Sequence, residues 1–144
     1  MNWKCKLSRH SVLAVMCSAA ALASLALPMM SVYCTDGESG TILVRLFNLA
    51  EFGIVGFMPM VAPLLLIAAA TIRFPLKWKR ITAIGIFAAD AVCTAISSKN
   101  AYVWLAEIGA KSVRFHPICV IYCLMMIAAV FIIALSAEKA EQDG

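Results

Sequence analysis

Residues 117–137 read PICVIYCLMMIAAVFIIALSA and contain no charged side chain. A helix of about 20 apolar residues is long enough to cross the hydrocarbon core of a bilayer. Three more stretches carry at most one charge each, at residues 11–33, 52–72 and 81–98. This pattern predicts an all-α protein whose single integral membrane domain, residues 1–144, is a four-helix transmembrane bundle.

The composition supports this class of protein. Hydrophobic residues make up 63% of the 144 positions and the mean hydropathy is +0.92, whereas soluble domains are about half apolar. The formal net charge is +4, but the cations lie in short segments between apolar stretches, so they indicate topology rather than nucleic-acid binding. We expect a multi-pass protein of the plasma (inner) membrane, surrounded by the lipid bilayer.

Basic residues predict the orientation, because lysine and arginine accumulate on the cytoplasmic side. One group precedes the first stretch and another separates the second from the third: Lys4, Lys6, Arg9, Arg73, Lys77, Lys79 and Arg80. Both termini are therefore expected in the cytoplasm. Residues Ser24-Leu25-Ala26 also resemble a signal-peptidase site. Because the apolar run continues to Tyr33, we favour a retained first helix.

Two connections are expected on the outer face, each with a short amphipathic segment. In the first, Ile42, Leu43, Leu46 and Leu49 fall on one side of a helix. The second, residues 99–116, has Trp104, Leu105 and Ile108 placed to dip toward lipid. We predict amphipathic helical segments at both places.

Asp90 is the one charged residue within the four stretches. With Thr94 and Ser97 it is spaced i, i+4 and i+7, which aligns the three on one helix face as an intramembrane polar stripe. A carboxylate near the bilayer midplane is costly and often functional, so the stripe could couple proton or cation transport. It could instead be neutral and hydrogen-bond to another helix. Ser24, or a carbonyl freed near Pro59 or Pro63, is the expected partner.

Six cysteines raise a redox hypothesis. Cys34 and Cys119 are predicted at similar depth near the outer surface, where they could form a disulfide in an oxidising compartment. The chain has no C-x-x-C motif. We therefore interpret most of its cysteines as apolar packing residues.

Soft metal ligands are also predicted toward the outer half of the bundle. They are Met29, Met30, Cys34, Met58, Met60, His116, Cys119 and Cys123. Thioether, thiolate and imidazole groups together suit Cu(I). Because none of them follows a recognised metal-binding spacing, we expect no metal and no cofactor.

No hydroxyl has a histidine nearby in the sequence, and neither paired carboxylates nor a glycine-rich phosphate loop is present. Catalysis is therefore disfavoured. The favoured function is a non-catalytic accessory, immunity-type or regulatory role, through contacts with another membrane protein or by self-association. The alternatives are a small proton-coupled or soft-metal transporter using Asp90, and a thiol-redox protein using Cys34 and Cys119.

Overall fold

The computed structural model describes residues 9–34, 40–72 and 75–142. It is mostly helical, with three short strands. In chain order the elements are α1 (Arg9–Ser24), β1 (Pro28–Cys34), β2 (Gly40–Arg45), 3-10 helices at Leu46–Phe52 and Ile54–Phe57, α2 (Met58–Thr71), α3 (Leu76–Glu107), β3 (Ala110–Phe115) and α4 (Ile118–Gln142). Three of the charges used to predict the orientation, Lys4, Lys6 and Arg73, lie outside the described residues.

Within the described residues, three helical segments are long and apolar enough to cross a membrane: Ile54–Thr71, Lys77–Glu107 and Ile118–Ser136. These correspond to the second, third and fourth stretches of the sequence. α1 is also apolar, and 16 of its residues, Arg9–Ser24, lie in the described part of the chain.

The four α-helices pack in a cycle, in which α1 and α3 each contact both α2 and α4. Small side chains mediate the packing of α1, since Ala14, Ser18 and Ala21 are fully buried. Small residues allow two helix backbones to approach closely. α1 therefore packs against its neighbours through small residues.

The first predicted helix is too long, because α1 ends at Ser24 and residues 28–34 form β1. Proline restricts the residue before it to extended conformations, so Leu27-Pro28 does not continue the helix. After Pro28, buried Met30 and Val32 alternate with Ser31 and Tyr33, which are less buried. This two-residue period is that of a strand with one buried face.

The third predicted helix is too short. α3 has 32 residues, about 48 Å, and ends just before Gly109, whose φ of 74° is left-handed. Glycine adopts that conformation readily and commonly terminates helices. Much of its surface is exposed, since 17% of its span is buried, against 39% for Ile54–Thr71.

The three strands form one antiparallel sheet in the order β2-β1-β3. Ser31 lies opposite Leu43 of β2 and Arg114 of β3. Met30, Val32 and Val44 are at most 5% exposed, so one face of the sheet belongs to the core. Each of the two connections contributes to this sheet.

The predicted amphipathic helical segments are therefore only partly correct. In the first connection, a 3-10 helix at Leu46–Phe52 buries Leu46 and Leu49 as expected, but residues 40–45 are a strand. In the second, Trp104 and Leu105 belong to α3 and residues 110–115 are a strand. Helical periodicity misled the prediction because a strand depends on hydrogen bonds to another strand, here β1 for both β2 and β3, and a local pattern does not reveal that pairing.

Candidate functional site

Asp90 lies on α3 with 3% of its surface exposed. The hydroxyl of Tyr122, on α4, is 3.0 Å from its Oδ2. Thr94 donates a 3.3 Å hydrogen bond to Oδ1. Both carboxyl oxygens thus have a partner, and the predicted pairing of Asp90 with Thr94 on one helix face is present.

The same Tyr122 hydroxyl lies 3.1 Å from the carbonyl oxygen of Pro59. In a regular helix that carbonyl would accept from the amide four residues later, but residue 63 is proline and has no N–H. Tyr122 therefore provides the hydrogen bond that Pro63 does not. The expected partner for Asp90, a carbonyl freed by these prolines, is reached indirectly through Tyr122.

The protonation of this cluster follows from counting its hydrogens. The Tyr122 hydroxyl has one hydrogen and lies between two acceptors, Pro59 O and Asp90 Oδ2. A carbonyl can only accept, so both contacts are hydrogen bonds when a protonated Asp90 donates to Tyr122 and Tyr122 donates to Pro59. With Asp90 neutral, each polar atom of the Asp90–Tyr122 and Tyr122–Pro59 contacts has a hydrogen-bond partner. These contacts join α2, α3 and α4.

The cluster joins the three helices at different positions along their candidate spans. Pro59 is five residues inside Ile54–Thr71, and Tyr122 is four residues inside Ile118–Ser136. At the helical rise, each lies about 6–8 Å from the end of its span that is nearer the sheet. Asp90 lies 13 residues after Lys77 and 17 before Glu107, near the middle of the candidate span of α3.

Ser97 and Ser24 do not join the cluster. The Ser97 side chain is fully buried, and its hydroxyl has no hydrogen-bond partner. Ser24 donates to the carbonyl of Ala21 within its own helix, at 2.7 Å. Of the predicted stripe, the structure therefore brings Asp90 and Thr94 together and leaves Ser97 separate.

The predicted disulfide between Cys34 and Cys119 stays a prediction, because the side chain of Cys34 is not among those described. The backbone of Cys34 lies opposite Ala110 at one end of the β1–β3 ladder, while Met30 lies opposite Phe115 at the other, from which the chain leads to Cys119. Cys119 is a free thiol.

The predicted soft ligands mostly have packing roles in the described residues. Met29 and Met30 are 2% and 1% exposed within the hydrophobic core. Among the residues described, no group of three or more His, Cys, Asp or Glu side chains is arranged to hold a metal ion. His116 instead pairs with a hydroxyl.

That hydroxyl is Ser31, whose Oγ lies 2.6 Å from His116 Nε2. The His116 amide also donates to the carbonyl of Met29, at 2.9 Å. The two residues are 85 positions apart, so the sequence search for a histidine near a hydroxyl missed them. The two-residue alternation at 28–34 was the signal that could have predicted a strand there.

The Ser31–His116 pair lies in a cleft of about 390 Å³ on the uncovered face of the sheet. Its described lining consists of Ser31, Tyr33, Ser112, Arg114 and His116. The register accounts for the grouping, since Ser31 faces Arg114 and Tyr33 faces Ser112 across the strands. The cleft thus combines hydroxyl groups with one permanent positive charge.

The sequence search also missed Tyr122. A tyrosine in an apolar stretch usually places its hydroxyl against a polar partner, and the prolines at positions 59 and 63 create such an acceptor. These two signals together could have predicted the contact. Comparison with protein-family models, curated proteins and solved structures finds no match to this chain.

Proposed function

We propose that this chain is a non-catalytic membrane protein with an accessory, regulatory or immunity-type role, acting on another membrane protein or on a second copy of itself. Its four helices form a transmembrane bundle in the plasma (inner) membrane, with both termini in the cytoplasm. The observation that carries the proposal is the sheet: one face is buried and the other is uncovered.

The charges at the ends of α3 support this orientation. Lys77, Lys79 and Arg80 lie in its first turns, far from the sheet, and its last residue is Glu107. Positive charge favours the cytoplasmic side. The sheet is then external, and the length of α3 agrees, because about 48 Å of helix exceeds a hydrocarbon core of about 30 Å and extends to the level of the strands.

A second uncovered surface on α3 supports contact with a partner inside the membrane. Gly85 and Ala89 are exposed and lie one helical turn apart, and no neighbouring atom lies within 4 Å of the position a Cβ would take at Gly85. Small residues at this spacing permit close helix approach in lipid. A partner helix therefore has a place to pack.

The polar cluster has a structural role in this proposal. It ties three helices together near the sheet and so supports the surface that is presented outside. A coupling carboxylate must exchange its proton with water, whereas Asp90 is 3% exposed and hydrogen-bonded at both oxygens. The alternative, a proton-coupled or soft-metal transporter, would require these contacts to open.

Site-specific photo-crosslinking in native membranes tests the proposal. A photoreactive residue replaces Leu43 on the sheet or Val92 on α3, which are 52% and 59% exposed. The matched control replaces Leu124 of α4, which is 57% exposed. We expect a discrete protein adduct from Leu43, Val92 or both, and none from Leu124.

Transport is measured in parallel. Absence of protein adducts from both test positions, together with proton-driven uptake by vesicles that is abolished by Asp90→Asn, would reject the proposal in favour of the transporter. An adduct of twice the chain's mass would identify self-association. Adducts with unchanged yield in Asp90→Asn would support a structural role for the carboxyl group.

A further inference from the structure

The described side chains that line the cleft on the uncovered face of the sheet share one property, the capacity to donate hydrogen bonds. Its five described side chains, Ser31, Tyr33, Ser112, Arg114 and His116, all offer hydrogen-bond donors, and no acidic side chain is among them. They come from two paired strands and converge on one space. An arginine supported by hydroxyl groups is the arrangement that recognises an oxyanion.

We propose that this cleft binds a phosphate group. A phosphate has several acceptor oxygens pointing in different directions, which suits donors that converge from both strands. Arg114 supplies the charge and the fork of N–H groups, while Ser112 and Ser31 supply hydroxyls. His116 holds Ser31 through the 2.6 Å contact and is itself fixed by the hydrogen bond that its backbone N–H donates to the carbonyl oxygen of Met29.

The position of the cleft indicates where the phosphate comes from. His116 is two residues before Ile118, where a candidate span begins. Phospholipid headgroups occupy the outer 5–7 Å or so on each side of a bilayer. The cleft therefore lies at headgroup depth, and Phe115, 66% exposed, is an aromatic side chain of the kind found at that interface. A lipid headgroup and a soluble phosphate share this chemistry.

Phosphorus NMR titration of the purified full chain in uncharged detergent tests the inference. Short-chain phosphatidylglycerol is one probe and inorganic phosphate is the other. Arg114→Gln should weaken binding about tenfold, the loss expected for one charge-assisted interaction. Ser112→Ala is a second variant, and it should also weaken binding because a donor is removed.

Lys111→Gln is the matched control. It removes one exposed cation from the same strand, but Lys111 lies at the register shift between Tyr33 and Cys34 and is not among the side chains that line the cleft. Its effect should be less than about twofold. Binding of the lipid alone would identify a headgroup site, and binding of inorganic phosphate would identify a soluble ligand; either supports the inference.

Two results would overturn it. One is that neither probe binds to the folded protein. The other is that Lys111→Gln weakens binding as much as Arg114→Gln, since the effect would then be one of net charge. The inference does not require a protein partner, so the crosslinking experiment and this titration fail independently.

Discussion

The hydroxyl oxygen of Tyr122 lies 3.1 Å from the carbonyl oxygen of Pro59. This contact joins the second turn of α4 to the first turn of α2, and the same hydroxyl also contacts Asp90. It compensates for the amide that Pro63 lacks. An apolar environment offers no water to satisfy such a carbonyl, so the contact matters more here than it would on a soluble surface.

Removing the hydroxyl should destabilise the protein. In Tyr122→Phe, the Pro59 carbonyl loses its side-chain partner and Asp90 keeps only Thr94, so we expect a loss of about 1–3 kcal/mol in the free energy of unfolding. Unfolding in mixed detergent micelles with increasing dodecyl sulfate measures it. Tyr102→Phe is the control, because Tyr102 is 57% exposed. Equal stability of the two variants would contradict the bridging role.

Asp90→Asn should retain most of the stability. Its amide N–H can donate to Tyr122 in place of the protonated carboxyl, and its oxygen can accept from Thr94. Asp90→Ala removes both interactions, so the same unfolding assay should show a loss similar to that of Tyr122→Phe. If Asn were as damaging as Ala, the cluster would require a charged carboxylate, and the hydrogen count that makes Asp90 neutral would be wrong.

Gly56 should tolerate no side chain. A Cβ there would collide with the backbone carbonyl of Leu49, in the preceding 3-10 helix. The backbone must move to admit it, so Gly56→Ala should cost about 1–3 kcal/mol, as overpacking does. Gly85→Ala is the matched control, because the corresponding space at Gly85 is open. The detergent-solubilised yield and the thermal aggregation temperature of the two variants are compared. A Gly56→Ala protein as stable as Gly85→Ala would show that Gly56 is not in close contact with the Leu49 carbonyl.

The proposed orientation puts two exposed aromatic residues on opposite sides of the membrane. Trp78 is 63% exposed near the start of α3, and Phe115 is 66% exposed at the end of β3. In a background without native cysteines, Phe115→Cys should react with a membrane-impermeant maleimide in intact cells, while Trp78→Cys should react only after permeabilisation. The reverse result would invert the topology.

The class of fold was accessible from the sequence to the extent that it depends on local composition. The three candidate spans correspond to predicted stretches, and α4 begins at Ile118, one residue after the predicted start. The predicted secondary structure was wrong where one sequence pattern was compatible with both a helix and a strand. Residues 28–34 continue an apolar run and also alternate as a strand, and the length of the run favoured the helix.

The candidate sites were accessible only in part. Asp90 stood out because a lone carboxylate in an apolar stretch is unusual, and its neighbour Thr94 follows from helical geometry. Tyr122 is 32 residues away from Asp90 and 63 away from Pro59, and His116 is 85 residues away from Ser31. Each of these pairs depends on how distant elements meet.

The sequence by itself determined that this protein has helices long and apolar enough for a bilayer, because the transfer of a helix into lipid depends on the composition of about 20 consecutive residues. Tertiary structure decided the sheet, the hydrogen-bond partners of Asp90 on other helices and the cleft beside Arg114. Strands hydrogen-bond only to partners brought from elsewhere in the chain, and a buried polar group takes whichever partner the packing of neighbouring helices brings within reach.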